Sequence, residues 1–219
     1  MHQSVINLNN IQSSIKTNQE KINNKNNVKI VAVSKTFEIS HINPLIDYGH
    51  TDFGENKVQE AIEKWTIIKK KNNKILLHLV GKLQSNKTKL ALKIFDYIHS
   101  LDSEKLANKI SEEQKKIEKK PKLFIQVNIG NEEQKSGISK KDLREFLSFC
   151  KNLKLNIVGL MCIPPISSNS DNYFNEMKIL NKELNLQELS MGMSSDYLNA
   201  TRNSSTYLRI GSKIFGNRV

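Results

Sequence analysis

One lysine and a distant group of small polar residues could together hold an aldehyde that carries a phosphate. Lys35 follows the apolar run 30–33, and desolvation by such a run lowers the pKa of a lysine and yields the neutral amine that attacks aldehydes. The ordinary alternative is a surface lysine behind a strand, because the chain contains many lysines. The position of Lys35 alone favours that alternative, and the case for a reactive lysine depends on residues near the end of the chain.

A second group of residues, near the end of the chain, has the composition of an anion-binding cradle. Ser194 precedes a predicted helix, where free backbone N–H groups and the helix dipole favour an anion. Gly211 and Ser212 follow a predicted strand; the glycine would let the backbone come close to a phosphate, and the serine would add a hydroxyl donor. The structural alternative makes Ser194 a helix N-cap and Gly211 a turn residue.

Arg209 belongs to the apolar run that precedes this cradle, and a buried guanidinium requires a partner that offsets its desolvation. A core carboxylate is the ordinary partner. In a pyridoxal site the partner could instead be the ring nitrogen, which would stay unprotonated because arginine keeps its proton at any relevant pH. Lys35, the cradle and Arg209 therefore fit pyridoxal 5′-phosphate (PLP), with its ring as a poor electron sink.

Apolar runs alternate with helix-patterned polar segments along the whole chain, which is typical of βα units and a parallel sheet. The eight predicted strands are 28–34, 51–54, 75–80, 97–101, 123–128, 157–163, 188–191 and 207–210. Helices are predicted at 56–71, 87–95, 103–118, 140–151, 171–184 and 195–203, with a first helix inside 3–25. Eight strands favour a (β/α)8 barrel over an open sheet, and the sequence contains no GxGxxG or Walker phosphate motif.

A (β/α)8 barrel would bring the polar residues of interest to one mouth, because the chemistry of this fold lies at the carboxyl ends of the strands. Phosphate is often bound by the loops after strands seven and eight, which is where Ser194, Gly211 and Ser212 lie. We therefore predict a single α/β domain over residues 1–219, a TIM barrel with an extra helix before its first strand.

Composition limits the partners and the compartment. The 219 residues carry a formal net charge of +12, but the lysines are dispersed and few aromatic residues lie among them, so no nucleic-acid partner is predicted. Cys150 and Cys162 have neither metal-ligand spacing nor a disulfide framework, which favours a reducing compartment. Because the sequence shows no signal-peptide pattern and no apolar run of about 20 residues, we expect a soluble, cytoplasmic protein without a membrane partner.

The motifs resemble those of the YggS/PROSC family of pyridoxal phosphate homeostasis proteins, whose fold is similar to the barrel domain of bacterial alanine racemase. The resemblance extends in order along almost the entire chain. The matching segments are VAVSKT (31–36), FGENKVQEA (53–61), HLVGKLQSNK (78–87), SLDS (100–103), QVNIGNEEQKSGI (126–138), GLMCIPP (159–165), LSMGMSSDY (189–197) and YLRIGSKIFGNR (207–218).

This resemblance implies a role for each candidate residue. Lys35 matches the lysine that forms the Schiff base with PLP, and Arg209 matches the arginine near the pyridine nitrogen. Asn56, in the GEN motif, would line the cofactor face, with a helix N-cap as its alternative role. The phosphate contacts match Ser194, Gly211 and Ser212.

Other positions carry weaker expectations or depart from the family pattern. His78 and Met161 would pack at the mouth and take no part in chemistry. Phe37 and Glu38 replace the polar residue and proline that often follow the SKT motif, which puts an accessory lysine at position 37 in doubt. Cys162 stands where threonine is frequent and could add redox sensitivity.

The resemblance implies a protein that binds PLP without catalysis and buffers the cofactor or transfers it to apo-enzymes. Alanine racemase takes its second base, a tyrosine, from an additional domain across a dimer. This chain ends at Val219 with no room for such a domain, so a monomer is expected. The alternative is a small PLP-dependent amino-acid racemase whose opposing base is Tyr173, His78 or Cys162.

Overall fold

The chain folds into the predicted (β/α)8 barrel. The computed structural model describes residues 1–23, 26–117, 119–132, 134–165 and 169–216. Eight parallel strands follow one another around a closed barrel, and the last pairs back onto the first. They are β1 (Lys29–Val33), β2 (Asp52–Glu55), β3 (Leu76–Leu79), β4 (Tyr97–Leu101), β5 (Lys122–Gln126), β6 (Ile157–Met161), β7 (Glu188–Ser190) and β8 (Tyr207–Ile210).

Helices alternate with these strands and include the expected extra helix α1. Residues 24, 25 and 118, at the ends of two predicted helices, lie outside the described residues. Within the described ranges, no helix is both long and apolar enough to cross a membrane. The helices are α1 (Gln3–Lys21), α2 (Ile39–Asp47), α3 (Val58–Lys71), α4 (Thr88–Ile94), α5 (Glu104–Ile117), α6 (Leu143–Asn152), α7 (Ser170–Glu183), α8 (Tyr197–Arg202) and α9 (Ser212–Phe215).

The sequence does not predict α2 or α9. Helix α2 contains Pro44, which removes a backbone donor and resembles a helix breaker, and only Ile42 and Leu45 of this helix are buried. Its apolar pattern is therefore too short to be recognised. Helix α9 has four residues, a single turn, and cannot show a helical period.

Side chains alternate between the barrel interior and the layer beneath the helices, as a strand period of two requires. In β8, Leu208 and Ile210 join the large core between barrel and helices, whereas Tyr207 belongs to a separate interior cluster. Arg209, two residues after Tyr207, points inward on the same face. Strand parity therefore places this arginine inside the barrel.

The interior cluster closes the amino-terminal end of the barrel. The Tyr97 and Tyr207 hydroxyl oxygens lie 3.3 Å apart, and the ammonium groups of Lys122 and Lys29 lie 3.2 and 3.1 Å from these two oxygens, respectively. Met161, the last residue of β6, is part of this cluster and is 1% exposed, which agrees with its expected packing role. The open end is the opposite one, at the carboxyl ends of the strands.

Helix α1 packs on α8 and α9, the helices that follow β7 and β8. The Asn18 side-chain amide donates to the Leu198 carbonyl of α8 at 3.0 Å, and the Asn7 amide donates to the Ile214 carbonyl of α9 at 2.9 Å. The extra helix therefore fixes the two segments that carry the predicted anion cradle.

Candidate functional site

A cavity of about 580 Å³ opens at the carboxyl ends of the strands, and we call it the rim cavity. Its walls come from β1 and β8 and from the loops after β1, β3, β6, β7 and β8, so residues distant in sequence meet there. Five of the six predicted cofactor residues line it. The lining residues are Val33, Lys35, Phe37, Val80, Ile163, Met193, Ser194, Ser195, Arg209, Gly211, Ser212 and Gly216.

Lys35 reaches the rim cavity because it continues the inward face of β1. Val31 lies in the interior cluster and Val33 lines the cavity, so the same parity carries the chain to Lys35 just beyond the strand. The lysine is half-buried. Its amine therefore stands at the edge of an apolar wall, as the sequence predicts.

The residue after Lys35 is held in an unusual backbone conformation. Thr36 has a φ of 68°, in the left-handed region that β-branched residues rarely adopt. Its N–H donates to Glu60 Oε1 of α3 at 2.7 Å, and Lys64 Nζ donates to the same oxygen at 3.0 Å. The Thr36–Glu60 bond ties the β1–α2 loop to α3, and Lys64 holds the Glu60 carboxylate in place from the same helix.

A buried carboxylate that sequence reasoning missed holds the residue before Lys35. Glu55 Oε1 accepts hydrogen bonds from Ser34 Oγ at 2.7 Å and from Lys64 Nζ and Trp65 Nε1, both at 3.0 Å. Burial raises the pKa of Glu55, and the bonds from Trp65 and Lys64 oppose that rise. A signal was available, since a carboxylate at the end of a short buried strand needs partners, but the sequence does not show which helix supplies them.

The predicted cradle is assembled from two adjoining loops. Ser194 Oγ, after β7, accepts a hydrogen bond from the Lys213 backbone N–H of α9 at 3.3 Å. A Cβ at Gly211 would lie 3.3 Å from the Val33 carbonyl oxygen, so the absence of a side chain permits close packing against β1. The N-cap of α8 is Asp196, and the alternative N-cap role for Ser194 is therefore wrong.

Arg209 is buried inside the barrel mouth and is 5% exposed. Its guanidinium donates to Ser190 Oγ at 2.7 Å and to the Cys162 carbonyl oxygen at 2.9 Å. Burial lowers the pKa of Arg209, with opposing contributions from Cys162 and Asp196. Among the described residues no carboxylate forms an ion pair with it, so the expected core carboxylate partner is not in contact.

Two other candidates lie away from the cavity lining. The Asn56 Oδ1 atom is buried and has no hydrogen-bond partner among the described residues. Lys57 is the N-cap of α3, so the alternative N-cap role for Asn56 is wrong. His78 is fully buried in the barrel interior, where it contacts Asp52 and His99, and its expected place at the mouth is wrong.

The side chains considered as an opposing racemase base are poorly placed for that role. Cys162 is fully buried, and burial raises the pKa of its thiol to about 12. Burial also lowers the pKa of His78, which lies below the mouth. Tyr173, in α7, packs against the core between barrel and helices. None of these three residues belongs to the described lining of the rim cavity.

The rim cavity has the chemistry required for an aldehyde with an anionic tail. It combines an amine from Lys35, a fixed cation from Arg209 and the hydroxyl groups of Ser194 and Ser212 with apolar walls that suit an aromatic ring. The described residues contain no group of three or more histidine, cysteine, aspartate or glutamate side chains that could hold a metal ion.

Comparison with known proteins relates nearly the whole chain to one family. A family model described as the N-terminal domain of alanine racemase matches residues 6–219. The pyridoxal phosphate homeostasis protein of Haemophilus influenzae is 39% identical over 224 residues, which cover 97% of this chain and 94% of that protein. The protein of the same name from Escherichia coli is 35% identical over 202 residues, covering 87% of this chain and 86% of that protein.

Solved structures give the same picture. PipY of Synechococcus elongatus, solved with PLP bound, is 33% identical with a TM-score of 0.80, and the match covers 92% of this chain and 100% of that chain. Its structure without PLP has a TM-score of 0.82. Alanine racemase of Clostridium difficile is 16% identical with a TM-score of 0.74, and the match covers 99% of this chain but 57% of that chain. This last similarity shows the shared barrel fold alone.

Proposed function

The chain belongs to the family of pyridoxal phosphate homeostasis proteins, and from that premise we propose that it binds PLP in the rim cavity and buffers or transfers the cofactor. The observation that carries the proposal is the convergence of Lys35 with Ser194, Arg209, Gly211 and Ser212 on one cavity. These residues come from both ends of the sequence, and each has the chemistry that one part of PLP requires.

Each residue has a defined role in this proposal. Lys35 binds the cofactor covalently, its amine condensing with the aldehyde carbon with loss of water. The cradle of Ser194, Gly211 and Ser212 holds the phosphate through hydroxyl and backbone donors. Arg209 faces the ring nitrogen. Asn56, the residue that follows β2, contributes to the cofactor face. When bound, PLP supplies the aldehyde and an electron-withdrawing ring.

The covalent role of Lys35 is tested by Lys35→Ala. We expect the variant to lose the near-ultraviolet and visible absorbance of lysine-bound PLP and all label fixed by borohydride, because no other described lysine lines the rim cavity. Peptide mapping by mass spectrometry locates the label in the parent protein. Lys82→Ala, which removes an exposed lysine from the loop after β3, is the matched control and should keep both signals. Label on a different lysine in Lys35→Ala would overturn the assignment.

We propose that the bound cofactor is not used for catalysis. Carbanion chemistry at an amino acid needs a proton-transfer group on each face, and Lys35 and Arg209 are the only titratable side chains in the described lining of the rim cavity. Arginine is too basic to act as the second group. Incubation of the PLP-loaded protein with L-amino acids in deuterated water should therefore give no Cα exchange above that of free PLP. Exchange at many turnovers per protein would favour the racemase alternative.

The remaining parts of the proposal concern partners and surroundings. Apo-enzymes that depend on PLP are the recipients, through transient contact, and the protein acts as a cytoplasmic monomer. Both cysteines are free, as a reducing compartment requires. Size-exclusion chromatography with light scattering should give a mass near 25.1 kDa. A stable dimer would contradict the monomer.

A further inference from the structure

A continuous series of hydrogen bonds crosses the barrel interior and ends at Arg209. Asp52 Oδ1 lies 3.1 Å from His78 Nε2, and His78 Nδ1 lies 3.0 Å from His99 Nε2. His99 Nδ1 lies 2.7 Å from Ser190 Oγ, which in turn lies 2.7 Å from the Arg209 guanidinium. We call these five residues the barrel relay.

The three middle residues of the barrel relay are sealed from solvent. Its members come from β2, β3, β4, β7 and β8, and all point into the barrel. His78, His99 and Ser190 are 0% exposed, whereas Asp52 at the amino-terminal end is 9% exposed. Each buried donor must therefore find its acceptor within the relay, because water cannot replace it.

The arginine end fixes the direction of the hydrogen bonds. Arg209 can only donate, so Ser190 Oγ accepts from it. The Ser190 hydroxyl hydrogen then has one acceptor in contact, His99 Nδ1. His99 must carry its proton on Nε2, and that N–H donates to His78 Nδ1.

The aspartate end is consistent with the same direction. The ionised Asp52 carboxylate can only accept, so His78 donates from Nε2 and, as a neutral ring, accepts at Nδ1. Burial opposes ionisation of Asp52, but its bonds with His78 and Thr51 outweigh this and leave its pKa lowered. The arginine end therefore specifies neutral histidines with protons on Nε2, and the aspartate end agrees on the proton at His78 Nε2.

The charged and titratable groups around the two rings agree with this arrangement. Burial is the largest influence and lowers the pKa of both His78 and His99, for His99 to well below the ordinary value. For His78, Asp52 and Asp96 oppose that fall and Lys29 adds to it. For His99, the neighbouring groups, His78 and Arg209, both add to it. The aromatic rings in contact belong to Tyr97, Phe124 and Tyr207.

We propose that Asp52 fixes the direction of these hydrogen bonds from the far end of the relay, and that His78, His99 and Ser190 are positioning residues that transmit this direction and orient the guanidinium toward the rim cavity. Arg209 has two neutral acceptors on the barrel side, Ser190 Oγ and the Cys162 carbonyl, which leave its other N–H groups for the cavity. That the oriented guanidinium faces the ring nitrogen of PLP rests on the proposed function, whereas the hydrogen bonds of the relay do not.

The relay is tested first on the full-length protein without cofactor. Long-range ¹H–¹⁵N correlation spectra of the histidine rings, assigned through the backbone, report the protonated nitrogen of each ring directly. At pH 7 we expect His78 and His99 to be neutral with the proton on Nε2. A proton on Nδ1 of either ring, or a doubly protonated ring, would overturn the proposal.

Two variants then test whether the relay is coupled. Asp52→Asn keeps an acceptor oxygen but removes the charge, and should shift the Nε2–H proton resonances of both His78 and His99 upfield. A response confined to His78 would show that the charge is not transmitted. Ser190→Ala should shift the ¹⁵N resonance of His99 Nδ1. Ser205→Ala, which removes a buried hydroxyl bonded only to backbone carbonyls, should leave that resonance unchanged.

The last measurement connects the relay to the cofactor. Ser190→Ala should raise the dissociation constant for PLP roughly tenfold, the equivalent of losing one hydrogen bond to a charged group, and Ser205→Ala should leave it unchanged. Equal affinity in Ser190→Ala and the parent would overturn the orienting role of the relay. If the parent protein itself retains no PLP while the tautomers are as expected, the proposed function fails and the relay stands.

Discussion

At the scale of single residues, burial makes both thiols inert. Burial raises the pKa of Cys150 and of Cys162 to about 12. At pH 8 roughly one thiol in ten thousand is then a thiolate, and the thiolate is the reactive form. The redox sensitivity expected at Cys162 from sequence therefore has no support in its surroundings.

We expect iodoacetamide to label neither Cys150 nor Cys162 in the native protein at pH 8, and both after unfolding in urea. Intact-mass spectrometry over a time course counts the added groups. The urea sample is the control, because it shows that the reagent is active and that each thiol can react. Rapid addition of one group to the folded protein would mean that Cys162 or Cys150 is accessible.

At the same scale, the anchoring of its sequence neighbours distinguishes Lys35 from the other lysines. Ser34 is bonded to Glu55, and Thr36 is bonded to Glu60, so the backbone on both sides of the lysine is anchored to β2 and α3. The sequence identifies Lys35 because it ends an apolar strand in a recognisable motif. Its anchors escape sequence reasoning because they depend on contacts between elements.

At the scale of elements, the loop between β7 and α8 depends on a glycine. Gly192 has a φ of 92°, and a Cβ there would lie 2.5 Å from the Ala200 Cβ and 2.9 Å from a Leu208 methyl carbon. Gly49, after α2, has a φ of 93° but no atom within 4 Å of its Cβ position. The two glycines share the backbone strain and differ in packing.

Gly192→Ala should therefore destabilise the fold more than Gly49→Ala. We expect a loss of about 1–2 kcal/mol in the free energy of unfolding for Gly49→Ala from the left-handed backbone. Overpacking adds about 1–3 kcal/mol for Gly192→Ala. Urea unfolding followed by circular dichroism measures both losses. Equal losses would show that the β7–α8 loop relaxes without cost, and would weaken the view that this loop is a rigid part of the cradle.

The strands are the elements that sequence predicts best. Runs such as 30–33 and 123–125 are buried on both faces, so they are continuously apolar and stand out against polar helices. Helix α2 is missed because Pro44 interrupts a short apolar pattern. Helix α8 is two residues shorter at its start than predicted, since Asp196 and not Ser194 provides its N-cap.

The candidate site follows from sequence only where a motif lies at the carboxyl end of a strand. Lys35, Ser194 and Arg209 are of that kind, and the barrel brings them together. His99 is not, because it is an ordinary polar residue within a strand until the barrel closes, and Ser190 lies at the end of β7 in a motif that does not show its partner. Their pairing across β4 and β7 joins residues 91 positions apart, which no local pattern can indicate.

At the scale of the whole molecule, buried histidines link stability to pH. His78 and His99 are fully buried, and burial lowers the pKa of each below the ordinary value near 6.5. As pH falls below about 6.5, the unfolded chain binds protons that the folded chain does not, so stability falls. Each such histidine contributes a slope of up to about 1.4 kcal/mol per pH unit. The raised pKa of Glu55 acts in the opposite sense, because its folded form takes up a proton first.

We therefore expect the free energy of unfolding to decrease between pH 7 and pH 5, with a smaller slope in His99→Gln than in the parent protein. His99→Gln keeps hydrogen-bonding groups at this position but cannot take up a proton in the unfolded chain. Urea titrations at several pH values measure the slope, and the difference between the two proteins should approach one proton. An unchanged slope would mean that His99 binds its proton equally well in both states. That result would contradict a sealed interior and, with it, the neutral histidines on which the barrel relay depends.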